Sequence, residues 1–435
     1  MADGEGKRIA FVTTRCEGTD GVSLEIAKWT EILERMGHQC FFIAGSSDRS
    51  PDRSYVIPLA HFRHPVIREI NRKCFGSEFR SRQTSSLIRS TAVEIKDELY
   101  RAVAKFDIEF VIAENCLTIP INIPLGVALV ELLIETGLPV IAHHHDFVWE
   151  RERFLINAVP DYISAFFPPP REEMLHVVIN SVAGAEFGRR TGMQYRIIPN
   201  VMNFEAPPPP PDDYARDLRR EIGLKDDDVF VLQPTRVVPR KGIEHSIELI
   251  WRLKDPRFKL VFSHGEGDEG FAYSQRIREY AAMLGVPLIF ANDRIQYHRG
   301  HTADGKKVYS VWDAFQHADL VTYPSTYEGF GNAFLEAVYF KKPIFCNRYA
   351  IYRTDIEPCG FRTVCMEGFL THDVVEEVLY LLENEDYRRK MVEHNYEIGR
   401  RLFSYERVEE ELRFMLQRRF PQTCRVDSAP EPRWV

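Results

Sequence analysis

The sequence predicts an α/β protein built as two doubly wound, Rossmann-like domains. Three observations carry this. Short apolar runs alternate with amphipathic helical stretches, an order that implies right-handed crossovers and mostly parallel sheets. The alternation restarts after five consecutive prolines at 207–211, a segment that continues neither a helix nor a central strand. The length of 435 residues leaves room for about two to three domains.

RIAFVTT (8–14) opens the pattern as a strand. In GVSLEIAKWTEILERMG the apolar residues Val22, Ile26, Trp29, Leu33 and Met36 line one helical face, and Gly37 is placed to end the helix. QCFFIAG, EFVIAEN (109–115), LPVIAHH (138–144), LHVVIN (175–180) and YRIIPN (195–200) follow as strands. After the prolines come VFVLQP (229–234), FKLVFSHG (258–265), PLIF (287–290) and DLVTYPS (319–325). From about residue 372 the pattern is helical, and the tail after Phe420 is polar. The expected domains are 1–205, 206–403 and a closing segment 404–435.

Charge excludes some functions. With 56 basic and 64 acidic residues the net charge is −8, which argues against a nucleic-acid binder dominated by phosphate contacts. Eight cysteines are scattered with no CxxC pair, a usage that suits a reducing cytoplasm. The apolar run near the N-terminus is too short for a signal peptide. The longest apolar stretch, Leu117 to Ile134, is broken by Pro120, Asn122, Pro124 and Glu131. It reads as a loop leading into a buried helix, with no transmembrane segment expected.

In open α/β sheets ligands sit beyond the carboxyl ends of the strands, so strand-end loops are where chemistry is sought. GEGDEG (265–270) fits a dinucleotide-binding spacing, the basis of an alternative reading as an NAD-dependent oxidoreductase. Asp268 and Glu269 would put negative charge where the phosphates lie, so a plain strand–helix turn is favoured. GHTADGKK (300–307) carries Lys307 where a phosphate loop needs Ser or Thr and reads as a polar surface loop. HHHD (143–146) puts His143 and His145 on one side of a strand end. A metal pair with Asp146, extended by His298 or His301, is the weaker reading, because histidines facing a cleft more often hydrogen-bond a ligand. Asp226 and Asp228 read as solvated charge rather than a metal–nucleotide clamp. No metal site is expected.

PTRVVPRKGIEHSIEL (234–249) sets Arg236, Arg240 and Lys241 between a strand end and a helix start, a place suited to a diphosphate. Alone it is an ordinary basic loop. YPSTYEGFGNAFLEAVYFKKP (323–343) adds the decisive pattern. Glu328, Gly329, Phe330 and Gly331 form a loop at a strand end, and a helix runs on through Glu336. Glycines let backbone amides approach a ligand closely, and the two glutamates can accept from sugar hydroxyls.

With Arg236 and Lys241, the pair Glu328 and Glu336, with seven residues between them in EGFGNAFLEA, resembles the retaining nucleotide-sugar glycosyltransferases of family GT4. GVSLEIAKWTEILERMGHQ, HHHDF and IPNVMNF fit the same family in the same order, over roughly residues 8 to 415. The resemblance implies a GT-B fold, two Rossmann-like domains facing each other across a cleft, with the last helix returning to the N-terminal domain. It implies that Arg236 and Lys241 neutralise the diphosphate of a nucleotide-sugar donor, and that Gly21 approaches it in the first loop. Glu328 and the amides of Gly329, Phe330 and Gly331 would contact the transferred sugar, Glu336 the ribose, and His145 the reaction centre. Asp146, Trp149 and Arg151, just beyond His145, are candidates for a small sugar or anionic acceptor. The family breaks the anomeric bond by same-face attack, so no carboxylate nucleophile is assigned despite retention. Cations stabilise charge growing on the leaving diphosphate, and no cofactor is required. Both cations are expected in a solvated cleft, outside the core.

Overall fold

The computed structural model describes residues 6–18, 20–265 and 271–418. The chain forms two compact units, divided between Pro199 and Asn200 and again between Tyr405 and Glu406.

The first unit carries a sheet of seven strands: β1 (Arg8–Thr13), β2 (Gln39–Ala44), β3 (Ser54–Val56), β4 (Phe110–Glu114), β5 (Val140–His144), β6 (Leu175–Val178) and β7 (Tyr195–Ile197). All are parallel, in the order β3-β2-β1-β4-β5-β6-β7. The order reverses between β1 and β4, the switch point where such sheets open a crevice for ligands. The central strands are buried on both faces, with Ile9, Ala10, Phe11 and Val111 at zero exposure, as helix-covered parallel sheets require.

Helix Gly21–Arg35 starts where the Asp20 carboxylate accepts from the Val22 and Ser23 amides. It buries Ile26, Trp29, Ile32 and Leu33, the face the spacing predicts. The expected buried helix after Leu117 is Ile123–Thr136, capped by Asn122 and ended by Gly137 at φ 67°. No described helix is long and apolar enough to cross a membrane.

The second unit carries β8 (Val229–Gln233), β9 (Phe258–Phe262), β10 (Leu288–Phe290), β11 (Ile295–Gln296), β12 (Gly300–His301), β13 (Lys307–Ser310), β14 (Leu320–Tyr323), β15 (Ile344–Asn347) and β16 (Val364–Met366). Six of them make a parallel sheet in the order β10-β9-β8-β14-β15-β16, and β11, β13 and β12 make a small separate one. The switch point of the larger sheet lies between β8 and β14.

Two expectations shift. The first boundary falls at 199/200 rather than 205/206, because Phe204 is buried against Tyr339 and Tyr396 of the second unit. The second falls at 405/406 rather than 403/404, since Met202 pairs with Ser404 as an isolated bridge within the same unit. The 300–307 segment is the β12–β13 hairpin, and Lys307 Nζ is held by Asp217 at 2.9 Å. Asp228 is not solvated: it is buried and its carboxylate accepts from the Lys225 amide at 2.8 Å.

Candidate active site

The second unit gathers its candidate residues at the β8/β14 switch point. After β8 the chain makes a tight turn, Pro239–Lys241, and Gly242 takes a left-handed conformation at φ 58° before helix Ile243–Leu253. A Cβ at Gly242 would collide with the Pro324 carbonyl oxygen. Only glycine therefore lets this loop lie against the one after β14. Thr326 ties the two together, its amide donating to the Arg240 carbonyl at 2.9 Å. Beneath them Gln233 is fully buried, donating to Thr235 Oγ1 and accepting from Ser246 and Thr322, each at 2.8 Å. A satisfied buried network of this kind fixes loop positions.

Glu328 is the centre of the cluster. Its carboxylate accepts from Lys241 Nζ and, at 3.0 Å, from Arg240 Nη1. Glu328 is 8% exposed and Lys241 7%, so the expectation that Lys241 lies in solvent, outside the core, is corrected: it is half of a buried ion pair. Burial works to raise the Glu328 pKa, but Lys241 and Arg240 together hold it below the ordinary carboxylate range. Burial, with Arg240 and Arg236 nearby, pulls the Lys241 pKa down against the pull of Glu328. Arg236 is exposed, and among the described residues its guanidinium has no ion-pair or hydrogen-bond partner. It is the cation left available for an incoming anion. His264, at the end of the β9 segment, feels the same cations; burial first, then Lys241 and Arg236, take its pKa down to about 4.

The glycine loop turns on Gly331, at φ 130°. A Cβ there would lie 2.9 Å from Tyr349 Oη and 3.1 Å from Tyr323 Oη. Tyr349 donates to the Phe330 carbonyl at 2.8 Å, and the Phe330 ring is buried against Phe403. The loop is thus anchored through the ring and the carbonyl of Phe330 while its backbone turns into helix Asn332–Tyr339. Glu336 lies in that helix and accepts from Trp312 Nε1 at 3.4 Å.

The first unit gathers a second set at the ends of β4 and β5. Alternation along β5 sends His143 and His145 to one side and His144 to the other. His144 bonds Thr118 Oγ1 at 2.7 Å and His176 at 3.0 Å, both inside the core. His143 and His145 converge instead on Glu114, at the end of β4 and in register with His143. His143 Nδ1 lies 3.0 Å from its carboxylate, and His145 Nε2 donates to it as well. Burial acts to raise the Glu114 pKa, yet the two histidines bring it down to about 2. Burial acts to lower that of His145, and Glu114 raises it nonetheless.

Glu114, rather than the Asp146 read from the sequence, is the carboxylate beside the histidine pair. Among the described residues Glu114, His143 and His145 form a group with metal-ligand spacing, their ligand-type atoms within 4.8 Å of one another. His298 and His301 belong to the other unit. Asp146 accepts from Asn115 at 3.1 Å and from Arg151. Trp149 stacks on Phe147 at 4.6 Å, with the Arg190 guanidinium 4.9 Å from its ring. Gly21 is the exposed first residue of helix Gly21–Arg35. Residues 266–270 of the GEGDEG segment lie outside the described residues. Sequence reading passed over Glu114, His264 and the pairing role of Arg240; a lone acid closing the apolar run EFVIAE was the one available signal for Glu114.

Two parallel sheets, of seven and six strands, give this protein the GT-B class of α/β fold. The sucrose-phosphate synthase of Thermosynechococcus elongatus superposes with a TM-score of 0.66 at 14% identity, covering 94% of this chain and 98% of that one. Anabaena HepE in complex with UDP-glucose gives 0.64 at 14% identity, covering 94% and 99%. The chain belongs to the GT4-type glycosyltransferases: the profile of the family described as glycosyl transferases group 1 matches residues 303–398, and a mannosylglucosylglycerate synthase of Thermotoga maritima is 31% identical over 438 residues, covering 93% of this chain and 98% of that relative.

Proposed function

We propose that this glycosyltransferase moves a hexosyl group from a nucleotide-diphosphate sugar, of the GDP-mannose or UDP-glucose class, to a hydroxyl of a small acceptor of the sugar or anionic compatible-solute type. The observation that carries this reading is the cation cluster at the β8/β14 switch point, where Arg236, without an ion-pair partner among the described residues, stands beside the buried Lys241–Glu328–Arg240 group. A leaving diphosphate gains negative charge as the anomeric bond breaks, and fixed cations stabilise that charge without reorganising. Glu328 accepts from hydroxyls of the transferred sugar, Glu336 from the ribose, and His145 serves the reaction centre. The relative's product contains mannosyl, glucosyl and glycerate parts, which supports mannose as the donor sugar and a glycerate-bearing, hence anionic, acceptor. The UDP-glucose complex of the HepE neighbour supports a nucleotide sugar as donor. Transfer proceeds with retention and without a metal, and the free thiols of the described cysteines suit a cytoplasmic enzyme.

A donor screen with mass spectrometry of the products, using glycerate and glucosylglycerate as acceptors, tests the reaction. Tight nucleotide-sugar binding with no product from any acceptor would favour a non-catalytic sugar-nucleotide binder. Activity should survive EDTA; loss on chelation with recovery by magnesium or manganese would overturn metal independence. Titration of the free nucleoside diphosphate tests the two glutamates. Glu336→Gln should weaken its binding, whereas Glu328→Gln should leave it nearly unchanged and sharply lower the transfer rate, because only contacts strengthened in the transition state raise turnover. Equal loss of affinity in both variants would remove this division.

A further inference from the structure

A carboxylate closed inside a sheet is costly unless every lone pair is used. Glu114 is 1% exposed, and its two oxygens are taken by the ring nitrogens of His143 and His145. His143 is immobilised on its far side by Trp29, whose ring stacks on it at 4.3 Å. The neighbour of Glu114 in the chain also holds His145: Asn115 Oδ1 accepts from the His145 amide at 3.1 Å. The end of β4 therefore grips His145 by backbone and by ring. Of the three side chains, Glu114 is at 0% exposure, His143 at 1% and His145 at 10%, so His145 is the member of the group that reaches outward.

The other charged side chains nearby are engaged elsewhere. Glu25 pairs with Lys28 at 2.6 Å, and Asp146 with Arg151. Among the described residues, Glu114 alone is hydrogen-bonded to the ring of His145.

We propose that Glu114 is a positioning residue for glycosyl transfer: its carboxylate anchors the Nε2–H of His145, fixing the ring's tautomer and orientation and leaving Nδ1 as the nitrogen offered to substrate. A carboxylate that holds one ring N–H sets the role of the other nitrogen. His143 keeps the carboxylate in place and does not itself meet substrate. The inference rests on the reading of His145 as a residue of the reaction centre.

Glu114→Gln keeps the shape and removes the charge. It should lower kcat by about 10–100-fold, the usual cost of losing an orienting partner, with KM for the donor unchanged. In a His145→Ala background the same substitution should cost nothing further. Nitrogen-15 NMR of the full-length wild type, at a pH where His145 is neutral, should show the Nε2–H tautomer. An equal fold-loss in both backgrounds, or an Nδ1–H tautomer in the wild type, would overturn the proposal. If Glu114→Gln fails to fold, the wild-type spectrum decides alone. The spectrum needs no substrate, so absence of transferase activity with every nucleotide sugar would count against the proposed reaction while the Glu114–His145 arrangement is still read independently.

Discussion

Arg236 and Lys241 share a loop and a charge but differ in what they lose on mutation. Arg236 is exposed and unpartnered among the described residues, so Arg236→Ala should cut the transfer rate by about 10²–10³-fold and leave Tm unchanged. Lys241 is buried against Glu328. Removing one partner of a buried pair typically costs about 3–5 kcal/mol; Arg240 stays on Glu328 and keeps the loss toward the low end. Lys241→Ala should therefore lower both rate and Tm, and a thermal melt beside initial rates separates the two variants. The sequence showed both residue types at a strand end, but the pairing of Lys241 with a glutamate 87 positions away depends on which strands adjoin in the sheet. Glu114 was illegible for the same reason: only the register of β4 against β5 brings it to His143.

At the level of single elements, the geometry of the glycine loop is set from beneath, by Tyr349 on the Phe330 carbonyl and by the buried Phe330 ring. Tyr349→Phe removes the bond to the Phe330 carbonyl, which should cost about 1 kcal/mol of stability and weaken donor binding by loosening the loop. Gly331→Ala meets both a disfavoured φ and two tyrosine hydroxyls; a loss of about 1–3 kcal/mol is expected. Denaturant melts of both variants, with donor titrations, check this; unchanged stability in Gly331→Ala would mean the loop adapts. Strands with long apolar runs were legible from sequence. β7 and β10 are as short but were legible inside longer apolar segments (YRIIPN, PLIF), whereas β3, β15 and β16 (SYV, IFCN, VCM) were not read as strands. The β12–β13 hairpin was hidden by its polar turn.

For the molecule as a whole, buried histidines set the response to acid. Burial drives His144 well below the ordinary value of 6.5, and His176 and His264 down to about 4. These groups stay neutral in the folded state but take up protons when unfolded, so their contribution is fully present above pH 6.5 and is lost as pH falls below it, over a window that closes near 4 for His176 and His264. Each contributes a slope of roughly 1.4 kcal/mol per pH unit in that window. His145, raised by Glu114, works the other way: its contribution is present below 6.5 and fades as pH rises through its folded value. Burial raises Glu150 to about 7, which works in the same sense as His145, but His38, His61 and His317 are depressed as well, and six depressed histidines outweigh the raised groups. Stability measured by denaturant melts should fall steadily between pH 6.5 and 4, and a flat profile there would contradict the neutral state of these rings.

The division of the chain carries a further consequence for how the protein is made. The second unit is one continuous stretch whose two ends lie side by side, the Met202 amide donating to the Phe403 carbonyl at 2.9 Å. The first unit is interrupted. It lacks helix Tyr405–Arg418, which buries Val408, Leu412 and Met415 and sends Glu411 to Arg196 at 2.7 Å, until the whole of the second unit has been synthesised. Domains emerging from the ribosome ordinarily fold in order from the N-terminus. Here that order is inverted: the half translated first is the half completed last, and it must wait, with part of its apolar surface uncovered, while an inserted neighbour is synthesised and folds.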